Sequence, residues 1–345
     1  GFDRAKLAWY TIDPLFYRQT SVTPPGVNKS ITLPNGNTIP QQSYHYSREV
    51  LEKEVFPNKD PDLGSQITNL ALLDVAYYPS KRGPYNYNVT DLDSNGTFNN
   101  PSDKWAGLMR KVETNDFEAA NIEFIEFWMM DPFNADDGDI NHSGGDLYFH
   151  LGNVSEDILK DGYKSFENGL PTSSTVENVD TTAWGRVPTN YSIVSAFDNN
   201  PDSRKYQDVG LDGLRTTDEI LFFDNYIQEI LNKFPSSGTA SVAYQNAIKD
   251  PSGDNYHYYR GSDFDNNQTK ILDRYLNFNN MDGNSVTTDL SPESYPTSST
   301  TIPNTEDINK DNTLSESESY FQYKVSLFPN MDVGDSYISD RKSVV

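Results

Sequence analysis

Apolar and polar positions along the chain divide it into short β-type runs separated by turn chemistry. The block Ala5 to Tyr17 (Leu7, Trp9, Tyr10, Ile12, Leu15, Phe16) is apolar and aromatic, and it gives way to Pro24-Pro25-Gly26. Asn35-Gly36, flanked by Ile31-Thr32-Leu33 and Thr38-Ile39, is a two-residue hairpin signal. Glu49 to Phe56 fits a strand or a short helix equally well. Thr68 to Tyr78 reads as a strand closed by Pro79. Asn121 to Met130 is apolar on both pleat faces. A helix would place Ile122, Ile125 and Met129 on one side, but the β-branched and aromatic content and the Asp131-Pro132 stop favour a strand. After an acidic loop from Asn134 to Gly145, Asp146 to Gly152 alternates, with Leu147, Phe149 and Leu151 expected inward. Glu318 to Phe328 is a last strand.

One helix is well specified. Thr216-Thr217-Asp218-Glu219 has the spacing of a capping box, and Ile220, Phe223, Ile227, Ile230, Leu231 and Phe234 form one stripe ended by Pro235 and Gly238. Ser241 to Ile248 reads as a second short helix, and Gly283 to Pro303 as a Ser/Thr/Pro-rich linker. The fold class expected is mainly β: a jelly-roll, galactose-binding-like β-sandwich with a helical insertion and long loops. Its division is 1–65, an N-terminal β segment and hairpin; 66–200, the sandwich core; 201–282, the helical insertion; 283–345, linker, acidic loop and a C-terminal strand returning to the sandwich.

Charge and composition remove several function classes. Of 345 residues, 51 are acidic and 27 are Lys or Arg, a net charge of −24 that argues against a nucleic-acid partner. Mean hydropathy is −0.70, and no apolar run approaches the roughly 20 residues of a spanning helix. An aromatic content of 13% is too high for a disordered chain. The absence of cysteine excludes disulfides, thiolate metal sites and a cysteine nucleophile. The chain starts Gly1-Phe2-Asp3 and is read as an internal piece of a longer polypeptide.

Catalytic constellations are thin, and the chain is read as a non-enzyme. The four histidines (His45, His142, His150, His257) fall into no spaced zinc motif, and neither a nucleophile elbow nor a phosphate loop is present. His150 reads as a solvent-facing or hydrogen-bonded structural residue. Acidic loops carry more. Asp307, Asn309, Asp311, Thr313 and Glu318 place oxygen donors at positions 1, 3, 5, 7 and 12 of a loop with the spacing that wraps Ca²⁺, and Asn312 stands where that motif has Gly. A structural Ca²⁺ is therefore the candidate cofactor. An acidic linker with Asx turns is the competing reading. Asp91 to Thr97 has only the front half of the pattern and reads better as a hairpin turn. The loop Asp208 to Gly213 reaches Glu219 at position 12, but lacks a third-position oxygen and shares Glu219 with the helix cap. Tyr256, Tyr258 and Tyr259 around His257, and Tyr85 and Tyr87, are candidate sugar-stacking rings, with core and interface packing the favoured alternative.

Several long segments together resemble one family. They are 73–87, 105–110 (Trp105-Ala106-Gly107-Leu108-Met109-Arg110), 117–128, 153–159, 166–171, 207–214 and 250–257 (Asp250-Pro251-Ser252-Gly253-Asp254-Asn255-Tyr256-His257). In matching order they are similar to the SprA/Sov family of Bacteroidetes, the outer-membrane translocon of the type IX secretion system, needed for gliding motility and surface export. The resemblance implies a very large outer-membrane β-barrel passing folded cargo, with no catalytic residues to carry over. This hydrophilic piece is expected to be a soluble structural or gating segment, capping or lining the pore on the extracellular side or in the pore interior. Its implied partners are other type IX components, exported cargo and the rest of the parent barrel, with no direct lipid contact. The alternative from another class is a carbohydrate-binding β-sandwich module of an exported protein.

Overall fold

The computed structural model describes residues 3–17, 23–59, 68–114, 116–133, 143–166, 178–189, 206–207, 210–279 and 306–342. The strands are β1 (Ala5–Tyr10), β2 (Ser30–Thr32), β3 (Thr38–Pro40), β4 (Asp74–Arg82), β5 (Gly145–Asn153), β6 (Val179–Thr181), β7 (Arg186–Pro188) and β8 (Ser319–Leu327). The helices are α1 (Glu52–Val55), α2 (Thr216–Phe222), α3 (Asp224–Lys233), α4 (Val242–Lys249), α5 (Ser262–Asn266) and α6 (Ile271–Arg274). Helix and strand take nearly equal shares, 19% and 20%, so the fold is mixed rather than mainly β.

The strands pair in four separate antiparallel ladders of two: β1–β4, β2–β3, β5–β8 and β6–β7. The expected jelly-roll sandwich is not assembled by the described residues, because no ladder extends to a third strand and no two ladders stack as facing sheets over one core. Asn121 to Met130, expected to be a central strand, contains no regular element. Its apolar residues on both faces suit a strand buried between layers, and no second layer covers them. Phe124 is 73% exposed and Ile125 55%. The segments 134–142 and 280–305, which hold most of the acidic loop and the expected linker, lie outside the described residues.

Where local chemistry is strong, the expected elements form. The Asn35-Gly36 turn joins β2 to β3, with Gly36 at φ +86° and its N–H bonded to Leu33 O. The loop is longer than two residues, since Leu33 N also bonds Asn37 O. β4 starts later than expected and runs through Pro79 instead of ending there. Proline offers no N–H to a ladder, and the register breaks at this point: Lys6 faces Tyr78, while Ala5 faces Arg82. The helical stripe splits into α2 and α3 at Phe223, whose ψ of 26° departs from helix.

Three apolar clusters hold these pieces. Helices α3 and α4 pack Phe223, Tyr226, Ile227, Ile230, Ala243 and Ala247 onto Val89, Leu92 and Phe98. One face of β1 (Ala8, Tyr10) packs with Phe16, Val27, Ile271 and Tyr275. Tyr85, Leu159 and Leu211 form a third, smaller cluster, and the half-buried Tyr87 touches both this cluster and the first. Polar anchors complete the packing. The buried Gln41 amide donates to Gly26 O and Lys29 O and accepts from Ile271 N. The fully buried Arg274 donates to Pro25 O and Thr269 O and pairs with Asp265 at 2.9 Å.

Candidate functional site

Between the first and third apolar clusters lies a group of acids with no counterpart elsewhere among the described residues. Asp212, Glu219 and Asp254 each present a carboxylate oxygen within 4.8 Å of the others, and all three side chains are buried, exposed by 0%, 1% and 1%. Asp212 comes from the turn before α2, Glu219 from within α2, and Asp254 from the turn after α4.

Local sequence explains each placement. The N–H groups of Gly253 and Asp254 bond Asp250 Oδ1 at 2.8 and 3.2 Å, folding Asp250-Pro251-Ser252-Gly253-Asp254 into a tight turn with Gly253 at φ +75°. That turn aims Ser252 at the cluster: its hydroxyl donates to Asp212 Oδ2, and its N–H to Glu219 Oε2 at 2.9 Å. Tyr85 donates its hydroxyl to Asp254 Oδ2 at 2.9 Å and accepts from Leu211 N at 2.7 Å. Asp212 Oδ1 accepts from Leu214 N. The expected capping box is not formed, because Arg215 is the residue preceding the helix and Thr216 Oγ1 instead bonds Asn255 Oδ1. Glu219 is thereby released from the helix end and turned inward.

The electrostatics are costly, since unneutralised buried carboxylates pay desolvation and mutual repulsion. Burial, then Asp254, Asp212 and Asp250, push the Glu219 carboxyl well above the usual range. Burial and Asp250 push Asp254 up to about 7, against the Tyr85 hydrogen bond. The Arg82 guanidinium is coupled to Glu219 and Asp254. Burial lowers its pKa, but Tyr226, Asp250, Tyr87 and Glu219 outweigh this and raise it. Its hydrogen bonds go to the carbonyls of Asn86, Asp250 and Pro251 rather than to a carboxylate.

The loop expected from spacing to hold Ca²⁺ folds as a series of Asx turns. Asp307 accepts from Asp311 N and Asn312 N, Asn309 Oδ1 from Asp311 N, and Asp311 Oδ1 from Thr313 N and Oγ1. Asn312 does take the positive φ, 64°, that the glycine of such loops supplies. Glu318 pairs with Lys160 at 3.1 Å, while Glu156 reaches in from outside to accept from Asn309 N and Ser315 N. Asp91 to Thr97 forms a hairpin turn, with Asp93 Oδ1 accepting from Asn95 N and Thr97 N.

Of the weaker loop, Asp208 lies outside the described residues, while Asp212 and Glu219 do meet. Reading by spacing missed Asp254 and Ser252. The signal was present, because Asp250, Ser252 and Asp254 alternate oxygen donors at every second position. Among the candidate sugar-stacking rings, Tyr85 is buried against the acids, and Tyr259 stacks on Tyr275 at 4.9 Å within the second cluster. His150 is exposed, bonded to Gln322 Oε1 and stacked on Tyr320.

A second feature is a surface. In β5–β8, Leu147, Phe149 and Leu151 face Val325, Tyr323 and Phe321, making one side of the ladder apolar. Phe321 on that side is 75% exposed and Tyr323 51%. The other side mixes polar groups with rings: Lys324 pairs with Asp146 at 2.8 Å, Ser326 bonds Asp146, and His150 meets Gln322, while Tyr148 and Tyr320 stand exposed among them. Phe127 lies 5.6 Å from Phe149, bringing the exposed stretch 122–129 alongside β5.

No helix among the described residues is long and apolar enough to cross a membrane. No curated protein matches the chain. Residues 225–345, which contain α4 to α6, the Asp307 loop and β8, match the SprA_N family model, described as motility related/secretion protein. This match, over 121 of the 345 residues, supports the similarity of the chain to the SprA/Sov-type family of motility and secretion proteins.

Proposed function

We propose that the chain is a structural, non-catalytic segment of a type IX secretion translocon in the outer membrane. In this reading the β5–β8 ribbon contributes to the barrel wall, and the helical layer forms a cap or pore lining that meets cargo or partner proteins. The observation that carries the reading is the ribbon. Its two nine-residue strands match the 9–11 residues a tilted strand needs to span a bilayer. The alternation of an apolar side, exposed at Phe321 and Tyr323, with a side that carries the ion pair and hydrogen bonds among tyrosines is the pattern of a barrel wall between lipid and lumen. An aqueous surface gives no reason to leave Phe321 and Tyr323 uncovered, since apolar surface favours removal from water at about 25 cal/mol per Å². The reading departs from the expectation of no lipid contact, which rested on the hydrophilic character of the chain and on wall strands needing roughly ten residues with an apolar lipid-facing side. An average conceals alternation.

The chain lacks cysteine, so a cysteine placed in it is tested in membranes of cells making the intact parent protein, against the same membranes without the substitution. Phe321→Cys is expected to resist a water-soluble maleimide until detergent is added, while Gln322→Cys, one residue along on the other side, reacts throughout. Equal reactivity at both positions would sink the wall assignment. Saturable sugar binding by the chain, read by tryptophan fluorescence, would favour the carbohydrate-binding alternative.

A further inference from the structure

We infer that Asp212, Glu219 and Asp254, with the Ser252 hydroxyl, form a buried binding site for a divalent cation, and that the cation is Ca²⁺. The inference is independent of the wall assignment.

The acids alone would not carry it. The second observation is Glu219 Oε1, which has no hydrogen-bond partner although the side chain is 1% exposed. Its sister oxygen is held by Ser252 N, so the carboxylate is fixed with one oxygen committed and the other open. A buried unsatisfied carboxylate oxygen is destabilising, and such groups are retained where something outside the chain completes them.

Geometry agrees. Oxygens bound to one Ca²⁺ lie about 2.3–2.6 Å from it, so two on opposite sides stand about 4.6–5.2 Å apart and the rest closer. The three carboxylate oxygens lie within 4.8 Å of one another, a span one ion can bridge. Charge agrees too. With Asp250, the group sets four carboxylates beside two buried basic side chains, Arg82 and Lys6, and a divalent ion would favour the ionised form of acids that burial and mutual repulsion otherwise hold protonated. The donors are all oxygen, with no histidine or sulfur, which selects a hard cation over zinc or copper. Between the hard ions, Mg²⁺ keeps several of its waters and avoids closed protein cages, whereas Ca²⁺ accepts irregular sets of carboxylates and hydroxyls. Tyr85, Tyr87 and the Asp250 turn enclose the group, which favours Ca²⁺. Bound there, the ion would join the turn before α2, α2 itself and the turn after α4, locking the helical layer to the Tyr85 cluster.

The test uses the full 345-residue chain stripped with chelator. Calorimetric titration with Ca²⁺ is expected to show saturable binding and a raised melting temperature, with Mg²⁺ much weaker. Tb³⁺ in the same site should luminesce on excitation through Tyr85 and Tyr87 and be displaced by Ca²⁺. Glu219→Gln and Asp254→Asn, near-isosteric changes that remove charge, should each weaken Ca²⁺ by at least about tenfold. Asp307→Ala, in the other acidic loop, should leave this binding and the tyrosine-sensitised emission intact. The inference is overturned if the stripped chain neither binds Ca²⁺ nor gains thermal stability from it, or if both charge-removing variants bind like the parent. Should those variants fail to fold, Asp307→Ala decides alone: persistence of the sensitised emission supports the site, and its loss refutes it.

Discussion

Asp74 shows how a single residue can set a pH response. It ends the β1–β4 ladder opposite Tyr10 and accepts the N–H of Ile12, while its Oδ2 is buried without a partner. Burial pushes its carboxyl up to about 6, against the Ile12 hydrogen bond. A raised carboxyl pKa means the folded chain takes up the proton before the unfolded chain does. The charged form therefore costs stability above pH 6, and that cost is relieved as pH falls from about 6 toward the unfolded value near 3.9. Two pKa units would amount to about 3 kcal/mol, which partial exposure reduces to about 1–2 kcal/mol. Asp74→Asn is accordingly expected to be more stable than the parent at pH 7.5 by about that amount, and the gap to close by pH 4.5, as measured by urea unfolding at both pH values. A variant that is weaker at pH 7.5 would mean the Ile12 bond outweighs burial. The same scale shows what can be read from sequence at the acidic site. The seven-residue spacing of Asp212 and Glu219 was legible as part of a loop pattern. Their meeting with Ser252, 40 and 33 residues further along, is set by the packing of α2 to α4, which no local spacing encodes.

At the scale of elements, partners decide what propensity leaves open. β5 and β8 were readable almost to the residue, because strict alternation in both strands is satisfied by a single pairing register. Asn121 to Met130 has a stronger apolar signal and forms no strand, since a strand needs a neighbour to take its N–H and C=O groups and none is present among the described residues. The helical stripe was legible, but its interruption was not. Phe223 stacks on Tyr87 at 4.5 Å at the point where α2 gives way to α3. The helical layer has a covered and an uncovered face. Ile230 in α3 is fully buried in the first cluster, whereas Leu221 in α2 is 78% exposed. Ile230→Ala should cost about 2–5 kcal/mol through lost burial and the cavity left behind. Leu221→Ala should change stability by no more than about 0.5 kcal/mol. Both are read from denaturant midpoints at unchanged slope, and a comparable loss at Leu221 would show that α2 is covered in solution by a surface the fold does not supply.

For the molecule as a whole, the formal charge of −24 is the property that local structure neutralises least. Among the described residues the exposed ion pairs, such as Lys160–Glu318 and Lys342–Asp340, each contribute on the order of 0–1 kcal/mol. They leave a large acid excess spread over a chain whose described residues are held by three modest apolar clusters and four two-stranded ladders, units that are marginal by themselves. Self-repulsion therefore acts against compactness. Raising NaCl from about 10 to about 150 mM shortens the screening length from about 30 to about 8 Å. That change weakens repulsion between distant acids more than attraction within ion pairs at contact distance. With chelator present throughout, so that no divalent ion contributes, the melting temperature of the chain should rise by a few degrees over that range. An uncharged osmolyte at matched osmolality should give a smaller shift. A fall in melting temperature would mean that ion pairs such as Arg274–Asp265 and Lys104–Asp91 outweigh the repulsion. The acidic surface would then be a stabilised network, and the excess charge would carry no cost for the fold to recover from a cation, a pore or a partner.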